Sequence, residues 1–539
     1  MTLPARTEVD VVVVGGGATG AGALRDLAMR GISALLVERG DFASGTSGRY
    51  HGLLHSGGRY VQSDPVSARH CAEENAVLRR IAPGTIELTG GYFVATPDDP
   101  DDYLERFPAA CAAAGIEAEP VPLADLFAAE PLLNRRIRAA YRVPDASLEP
   151  WELVDGNLAS AREHGATAWR YHALVGVERG ADGGITAAHV EDRRTGERRT
   201  IGCRAILSAA GAWAGTVAAI AGAQLTMRPG KGSMLILSRR LTAAVVNRLA
   251  PPGDGDIIVP VHTVCILGTT DITVPDPDHV DITREEVDAL LVDGERLVPG
   301  LAGARVLRAY AGARPLYDAA ELEGLEHHEE SREISRAHHV IDHGPRDGVA
   351  GLWSIVGGKL TTYRLMAAQA VDRVAAALGV EAPCRTAEEE LPRPAAGRAY
   401  WLGDRFAAHE AGGGGDAELI CECEMVTRER LLDAIEERGD SSLDDLRRTT
   451  RLGMGPCQGA FCTVRAAAIL AARGDAGALP ARAPEPNAAL LEFVRERQRG
   501  TRPIAWGDQL AELALTAGIF RGALAVDELD PGPPTDAGR

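Results

Sequence analysis

Four cysteines near the C-terminus carry the most specific spacing in this 539-residue chain. They fall as C-x-C (Cys421, Cys423) and, after 33 intervening residues, as C-x-x-x-x-C (Cys457, Cys462). Four thiolates at such spacing can wrap a metal centre, and an iron–sulfur cluster or a structural zinc are the main candidates. Zinc more often takes two C-x-x-C pairs. Disulfides or free thiols are the remaining options. The other five cysteines are scattered and read as small buried apolar residues.

A second constellation opens the chain. VDVVVV (9–14) runs into GGGATG (15–20), and ALLV (34–37) ends at Glu38. Gly15 permits a tight turn after a strand, Gly17 a close approach of backbone to a pyrophosphate, and Gly20 close packing of helix on strand. Glu38, 18 residues after Gly20, can accept hydrogen bonds from ribose hydroxyls. The motif predicts a bound dinucleotide but does not choose FAD over NAD. Residues 41–60, DFASGTSGRYHGLLHSGGRY, follow directly. Rich in Gly, Ser and His, they suit a loop around a cofactor's phosphates and ring, with Thr46 and Ser47 as contacts. ILSAAGAWA (206–214) ends a further strand in small residues at Gly211.

Only two of the 57 basic residues are lysine, Lys231 and Lys359. A coding bias toward arginine explains the scarcity. A retained lysine then marks a place where arginine cannot substitute. Lys359 lies in GGKLTTYR (357–364), where Gly358, Leu360 and Thr361 would bring a helix N-terminus to a flavin's pyrimidine edge. Lys231, flanked by glycines in RPGKGS, is a second candidate for the same cleft. AGARPL (311–316) and EISRAHH (333–339) add Arg314 and Arg336.

The elements that position these groups read as an α/β chain. A βαβ unit covers the N-terminus, short strand-like pieces across 225–275 suggest an antiparallel sheet, and a last strand and helix occupy 352–378. Residues 383–418 read as a linker, 419–472 as a compact cysteine domain, 488–525 as a helical segment and 526–539 as a disordered tail. Net charge is −19, which argues against binding nucleic acid or an anionic membrane face. No apolar run is long enough for a transmembrane helix. The N-terminus, MTLPARTEVD, lacks a signal-peptide pattern, so the expected location is cytoplasmic.

Taken together, GGGATG, GTSGRYHGLLHSGGRY, GKGS, GTTD (268–271), AGARPL, GGKLTTYR and the four cysteines make the chain resemble the FAD-dependent glycerol-3-phosphate dehydrogenases, in particular the anaerobic enzymes built from several subunits. The resemblance implies a glutathione-reductase-like, Rossmann-type FAD-binding domain with an α+β antiparallel-sheet substrate cap, within residues 1–382. FAD-binding parts would cover about 7–82, 150–215 and 340–382, and the cap about 83–149 and 216–339. It implies a bacterioferritin-associated-ferredoxin-type 2Fe–2S domain held by Cys421, Cys423, Cys457 and Cys462. It implies oxidation of sn-glycerol 3-phosphate to dihydroxyacetone phosphate, with electrons passing through partner subunits toward menaquinone and the chain peripheral on the cytoplasmic membrane.

By the same resemblance Arg59, Tyr60, Arg314, Arg336 and Lys359 would hold the substrate phosphate. Met234 stands where aerobic relatives have a histidine. Arg314 and Lys359 could stabilise a developing alkoxide, with His55 as the proton acceptor. Two competing functions are an amino-acid- or opine-type flavin dehydrogenase and a non-catalytic electron-transfer subunit.

Overall fold

The computed structural model describes residues 6–319, 334–392, 402–412, 418–439, 442–475 and 486–526. A six-stranded sheet lies at its centre. In spatial order its strands are Thr167–Arg170, Ala34–Glu38, Val11–Val14, Ala205–Ser208, Leu352–Gly357 and His338–Asp342. The first five run parallel, with Val11 level with both Ala34 and Ala205, and the sixth is antiparallel. Val11, Val12 and Val13 are wholly buried, as a β-branched run covered on both faces must be.

Helices Ala18–Met29, Pro150–Glu163 and Tyr363–Leu378 cover one face. Gly22 lets the first helix lie against Tyr363, whose ring stands 3.0 Å from where a Cβ would be. The other face carries a four-stranded sheet (Arg6–Glu8, Arg198–Gly202, Ile185–Asp192, His172–Arg179) and the helix Ala214–Ile220.

The antiparallel expectation for 225–275 is met in a nine-stranded cap sheet. Its strand Gly230–Leu237 pairs with Val306–Arg314 on one side and Val264–Gly268 on the other. Helix Arg284–Leu297 backs it, started by a capping box between Thr283 and Glu286. Leu290, Leu291, Leu235 and Leu267 form the core between helix and sheet. The cap also takes Gly91–Ala95 and Ala139–Val143 from the preceding chain.

The stretch read as a linker is more structured than its composition suggests. Leu402–Ala411 is helical. Upstream, the wholly buried Arg25 donates to the carbonyls of Thr386 (3.3 Å) and Glu389 (2.7 Å), and Leu391 is buried. A buried guanidinium with no carboxylate partner among the described residues needs such acceptors, so residues 386–391 are held against the FAD domain.

The cysteine domain is built from the ribbon Leu419–Cys421 and Val426–Thr427 and from helices Arg428–Arg438, Leu443–Thr450 and Cys462–Asp475. Phe493 and Phe520, from the C-terminal helical segment, complete its core. The same segment reaches the cap, where Ala309 N–H donates to the Gly500 carbonyl at 3.2 Å and Ile504 joins the cap core. The tail beyond Val526 lies outside the described residues. Among the described residues no helix is long and apolar enough to cross a membrane.

Candidate functional site

A cavity of about 660 Å³ runs from the first glycine turn to the cap. Gly15 adopts φ +111° and donates to the Val37 carbonyl at 2.9 Å, and a Cβ there would stand 2.6 Å from the Ala209 carbonyl oxygen. At Gly20 a Cβ would stand 1.9 Å from the Gly15 carbonyl oxygen, so only glycine lets this helix sit so close to the turn. No side chain caps the helix at Gly17, while Ala18 N–H donates to Ser47 Oγ at 3.0 Å. The helix N-terminus therefore faces the cavity with its partial positive charge.

Glu38 lines the cavity and accepts from the N–H groups of Gly16 (2.7 Å) and Gly40 (2.8 Å). Burial pushes its carboxyl up, and these two donors oppose the shift. Thr46, Gly211, Gly358, Leu360 and Thr361 also line the cavity. Thr46 gives its hydroxyl proton to the Ala313 carbonyl at 2.7 Å, tying the loop to the cap. Trp213 Nε1 is a buried donor at this wall with no acceptor. A turn closed to any Cβ, a helix start facing the cavity, a partly buried carboxylate and a donor without an acceptor among the described residues fit a dinucleotide in this groove.

At the cap end of the cavity the positive charge gathers. Arg314 donates to Asp271 Oδ1 (3.1 Å), Thr269 Oγ1 (2.6 Å) and the Thr270 carbonyl (2.9 Å). Arg336 takes the other oxygen of Asp271 at 2.7 Å. One carboxylate thus aligns two guanidiniums, and Arg336 Nη1 is a buried donor without an acceptor among the described residues. Lys359 Nζ lies 4.3 Å above the Tyr60 ring and 3.3 Å from the Arg336 carbonyl.

His55 lies among these groups, its backbone N–H donating to Thr361 Oγ1 at 3.1 Å. Its ring sits 5.6 Å from both His51 and Tyr60. Burial pushes the His55 imidazole well down, helped by His51, Lys359 and Arg59. His51 is pushed down to about 3 by burial, with Arg59 and Arg314 beside it.

The geometry brings Tyr60, Arg314, Arg336, Lys359 and His55 to one corner, but not every expected residue. Arg59 is turned away, paired with the buried Asp256 at 2.9 Å and donating to the Gly253 carbonyl. Lys231 does not line the cleft. It forms a buried pair with Glu286 at 2.8 Å, because its position on the strand faces the backing helix. Met234 is buried with Leu53, Val245 and Leu307, so the departure at this position is absorbed by the core.

Two residues of the corner lie outside the sequence expectations. Asp271 stands in GTTD, but its role depends on two arginines that the chain supplies 43 and 65 residues later. His51 precedes His55 by one turn of loop, and nothing in composition separates the two. Its Nδ1 accepts from Leu53 N–H at 3.2 Å, which leaves the proton of the neutral ring on Nε2.

The four cysteines come together at the end of the ribbon and the start of the helix Cys462–Asp475. Cys423 and Cys457 have their sulfurs 4.0 Å apart. Cys421 is lowered to about 7, chiefly by a hydrogen bond from Cys462, and Cys423 is pushed up to about 11 by burial and by Cys457. Gly455 makes room for the pocket, since a Cβ there would stand 2.2 Å from Cys423 Cβ. The sulfurs stand as mutually interacting thiols, and among the described residues no group of three or more ligands is at coordination spacing. A soft, all-thiol donor set with glycines on its rim fits an iron–sulfur centre.

Comparison with known proteins finds a family match for each of the two regions. The family model for FAD dependent oxidoreductases matches residues 10–364, and that for the BFD-like 2Fe-2S binding domain matches 419–472. A chain of the anaerobic glycerol-3-phosphate dehydrogenase of Escherichia coli (strain K12) is 40% identical over 541 residues, covering 96% of this chain and 97% of the relative. The corresponding chain of the Haloferax volcanii anaerobic glycerol-3-phosphate dehydrogenase is 42% identical, covering 97% and 91%. Among solved structures, the glycerol-3-phosphate dehydrogenase from Bacillus halodurans complexed with FAD superposes with a TM-score of 0.65 at 22% identity, covering 93% of this chain and 96% of that one. FAD is the cofactor of the cleft, and a 2Fe–2S cluster is the group of the cysteine pocket. The chain belongs to the FAD-dependent oxidoreductases and, within them, to the family of anaerobic glycerol-3-phosphate dehydrogenase chains that carry a BFD-like 2Fe–2S domain.

Proposed function

We propose that the chain oxidises sn-glycerol 3-phosphate to dihydroxyacetone phosphate and passes the electrons, by way of the cysteine domain and partner subunits, toward a quinone such as menaquinone. The observation that carries this reading is the Asp271-aligned pair of arginines beside the cofactor cleft, with Arg336 Nη1 lacking an acceptor among the described residues. A phosphate dianion satisfies that donor and balances the local positive charge. Arg314 and Arg336 hold the phosphate, and Tyr60 and Lys359 close the corner. Arg59, engaged with Asp256, positions the wall rather than the ligand.

Bound FAD supplies the acceptor for the hydride leaving C2. His55, which burial keeps neutral in the resting site, is the group placed to take the C2 hydroxyl proton. Lys359 stabilises the negative charge that develops on the C2 oxygen. Cys421, Cys423, Cys457 and Cys462 would hold the cluster that carries electrons onward. Attachment to the cytoplasmic membrane would come through the partner subunits.

Turnover of the purified holoenzyme with an artificial dye acceptor tests the reading. Glycerol 3-phosphate should be oxidised, while proline and opines should not. Activity with an amino acid and none with glycerol 3-phosphate would replace this reading with the amine-dehydrogenase one. No turnover with any donor would point to a pure electron-transfer role.

A further inference from the structure

A second cavity, of about 370 Å³, lies where the FAD domain, the cap and the cysteine domain meet. Its walls come from the loop after Glu38, the cap strand Val306–Arg314, the helix Leu443–Thr450 and the C-terminal helix Pro486–Gln498. It touches the flavin cleft only along a shared wall that includes Arg49 and Tyr50. The proposed reaction makes no use of it.

The carboxylates on one side of this cavity are already engaged. Asp41 binds Arg438 (3.1 Å) and Arg448 (2.8 Å), Asp445 also binds Arg448 (2.7 Å), and Asp444 binds Arg447 (2.7 Å). Glu149 is paired with Arg451. Glu492, also on the wall, is pushed up by burial and by Asp445 and Asp444.

The opposite side is short of negative charge. Arg308 has one carboxylate, Glu496 at 3.2 Å, and Arg499 shares it at 3.9 Å. Arg497 has no carboxylate partner among the described residues and donates only to the neutral side chain of Gln458. Among the described residues Arg49 donates only to the Ser44 carbonyl, at 3.1 Å. Arg308 and Arg497 are each 8% exposed, and the Nε of each is a buried donor without an acceptor among the described residues. Burial, with Arg308 and Arg447 nearby, pushes Arg497 well down. Asp444 and Glu496 offset part of this charge, and buried like charges that outnumber their counter-ions remain unfavourable unless an anion completes the site.

We propose that this junction is a second ligand site, taking the phosphate group of a small anionic molecule between Arg49, Arg308 and Arg497. Planar guanidinium forks from separate elements match the oxygens of a phosphate. The volume lies within the range of ligand pockets, and the rings of Tyr50, Trp151 and Tyr310 on its walls can receive a heterocycle attached to that phosphate. Because its arginines come from the loop, the cap and the C-terminal helix, an occupant would also bind the three parts of the molecule together.

The test is calorimetric titration of the FAD- and cluster-loaded protein, in phosphate-free buffer, with orthophosphate and with AMP. In Arg336→Gln, which removes the phosphate contact of the substrate corner, one equivalent of either ligand should still bind, and the variants below are read in that background. Arg497→Gln should weaken binding about tenfold, with partial recovery in Arg497→Lys. Arg308→Gln should also weaken it and serves if the Arg497 variant does not fold. Tighter binding of AMP supports the site with an organic phosphate as occupant, and equal affinities support it with the free anion. Absence of binding to the wild-type protein, or affinity unchanged in both Arg497→Gln and Arg308→Gln, would overturn the proposal.

Discussion

Arg314 and Arg336 approach one another only because Asp271 lies between them, accepting from both. Removing that carboxylate leaves two guanidiniums free to diverge. Asp271→Asn should raise KM for glycerol 3-phosphate and lower kcat/KM by roughly ten- to a hundredfold, the scale of one or two charge-assisted hydrogen bonds. Arg336→Gln should do the same. Steady-state kinetics with a dye acceptor read both, and an unchanged KM would place the phosphate elsewhere.

The histidines make a second residue-scale claim. His51 is held down to about 3 and His55 well below the usual imidazole range. Both therefore stay neutral as pH falls through about 6.5, where an unperturbed imidazole titrates. The kcat profile should stay level across that region, and an acid limb centred near 6.5 would contradict a neutral His55. Stability has the opposite sensitivity. Below about 6.5 the unfolded chain takes up protons that the folded histidines refuse, so stability is lost progressively as pH falls. The melting temperature of His51→Gln should fall less steeply with acid than that of the wild type.

At the scale of elements, the turn between Val11–Val14 and Ala18–Met29 depends on two glycines that no side chain can replace. Gly20→Ala would drive a methyl into the Gly15 carbonyl, and the helix would have to shift away from the strand that carries the phosphate site. We expect a loss of about 1–3 kcal/mol and weaker flavin retention, measured as the flavin-to-protein absorbance ratio after gel filtration. Wild-type flavin content in this variant would remove the turn from the cofactor site.

Elements of this kind are legible in sequence because their signals are local. A β-branched run, a glycine turn and a carboxylate fall within 30 residues, and the βαβ unit forms where its pattern lies. The corner that binds substrate is legible only in part, because its contacts cross the chain. Arg59 meets Asp256 across nearly two hundred residues, and nothing near Arg59 announces that partner. Lys231 misleads for a simpler reason. Scarcity of lysine marks a constrained position, but not which face of a strand carries it, and here the constraint is the buried Glu286. The contacts at 386–389 inside the stretch read as a linker are hidden for the same reason, since Arg25, which donates to them, lies more than 350 residues upstream.

At the scale of the whole molecule, the cysteine domain is fastened to the flavoprotein body by buried charge. Arg451 bonds Glu424, the neighbour of Cys423, and reaches across to Glu149 at the start of helix Pro150–Glu163. Asp41, which burial would push up, is held down to about 2 by Arg448, Arg438 and Arg170. Arg451→Met would strand two buried carboxylates, at a cost of about 3–5 kcal/mol. Hydrogen exchange should then rise across 419–472 while the six-stranded sheet stays protected. Uniform protection would mean that other contacts hold the domain.

The two cofactor sites can also be separated. Cys457→Ser should abolish the electron paramagnetic resonance signal of the reduced cluster and leave dye-linked oxidation largely intact, because the substrate corner lies in the flavoprotein body. The central claim concerns that corner. Anaerobic titration of the purified holoenzyme with glycerol 3-phosphate, followed in the visible flavin band, tests it most directly. The account predicts bleaching that saturates with substrate, together with loss of the effect at the same concentrations in Arg336→Gln. A flavin band that stays oxidised at saturating glycerol 3-phosphate, in protein that dithionite still bleaches, would contradict it.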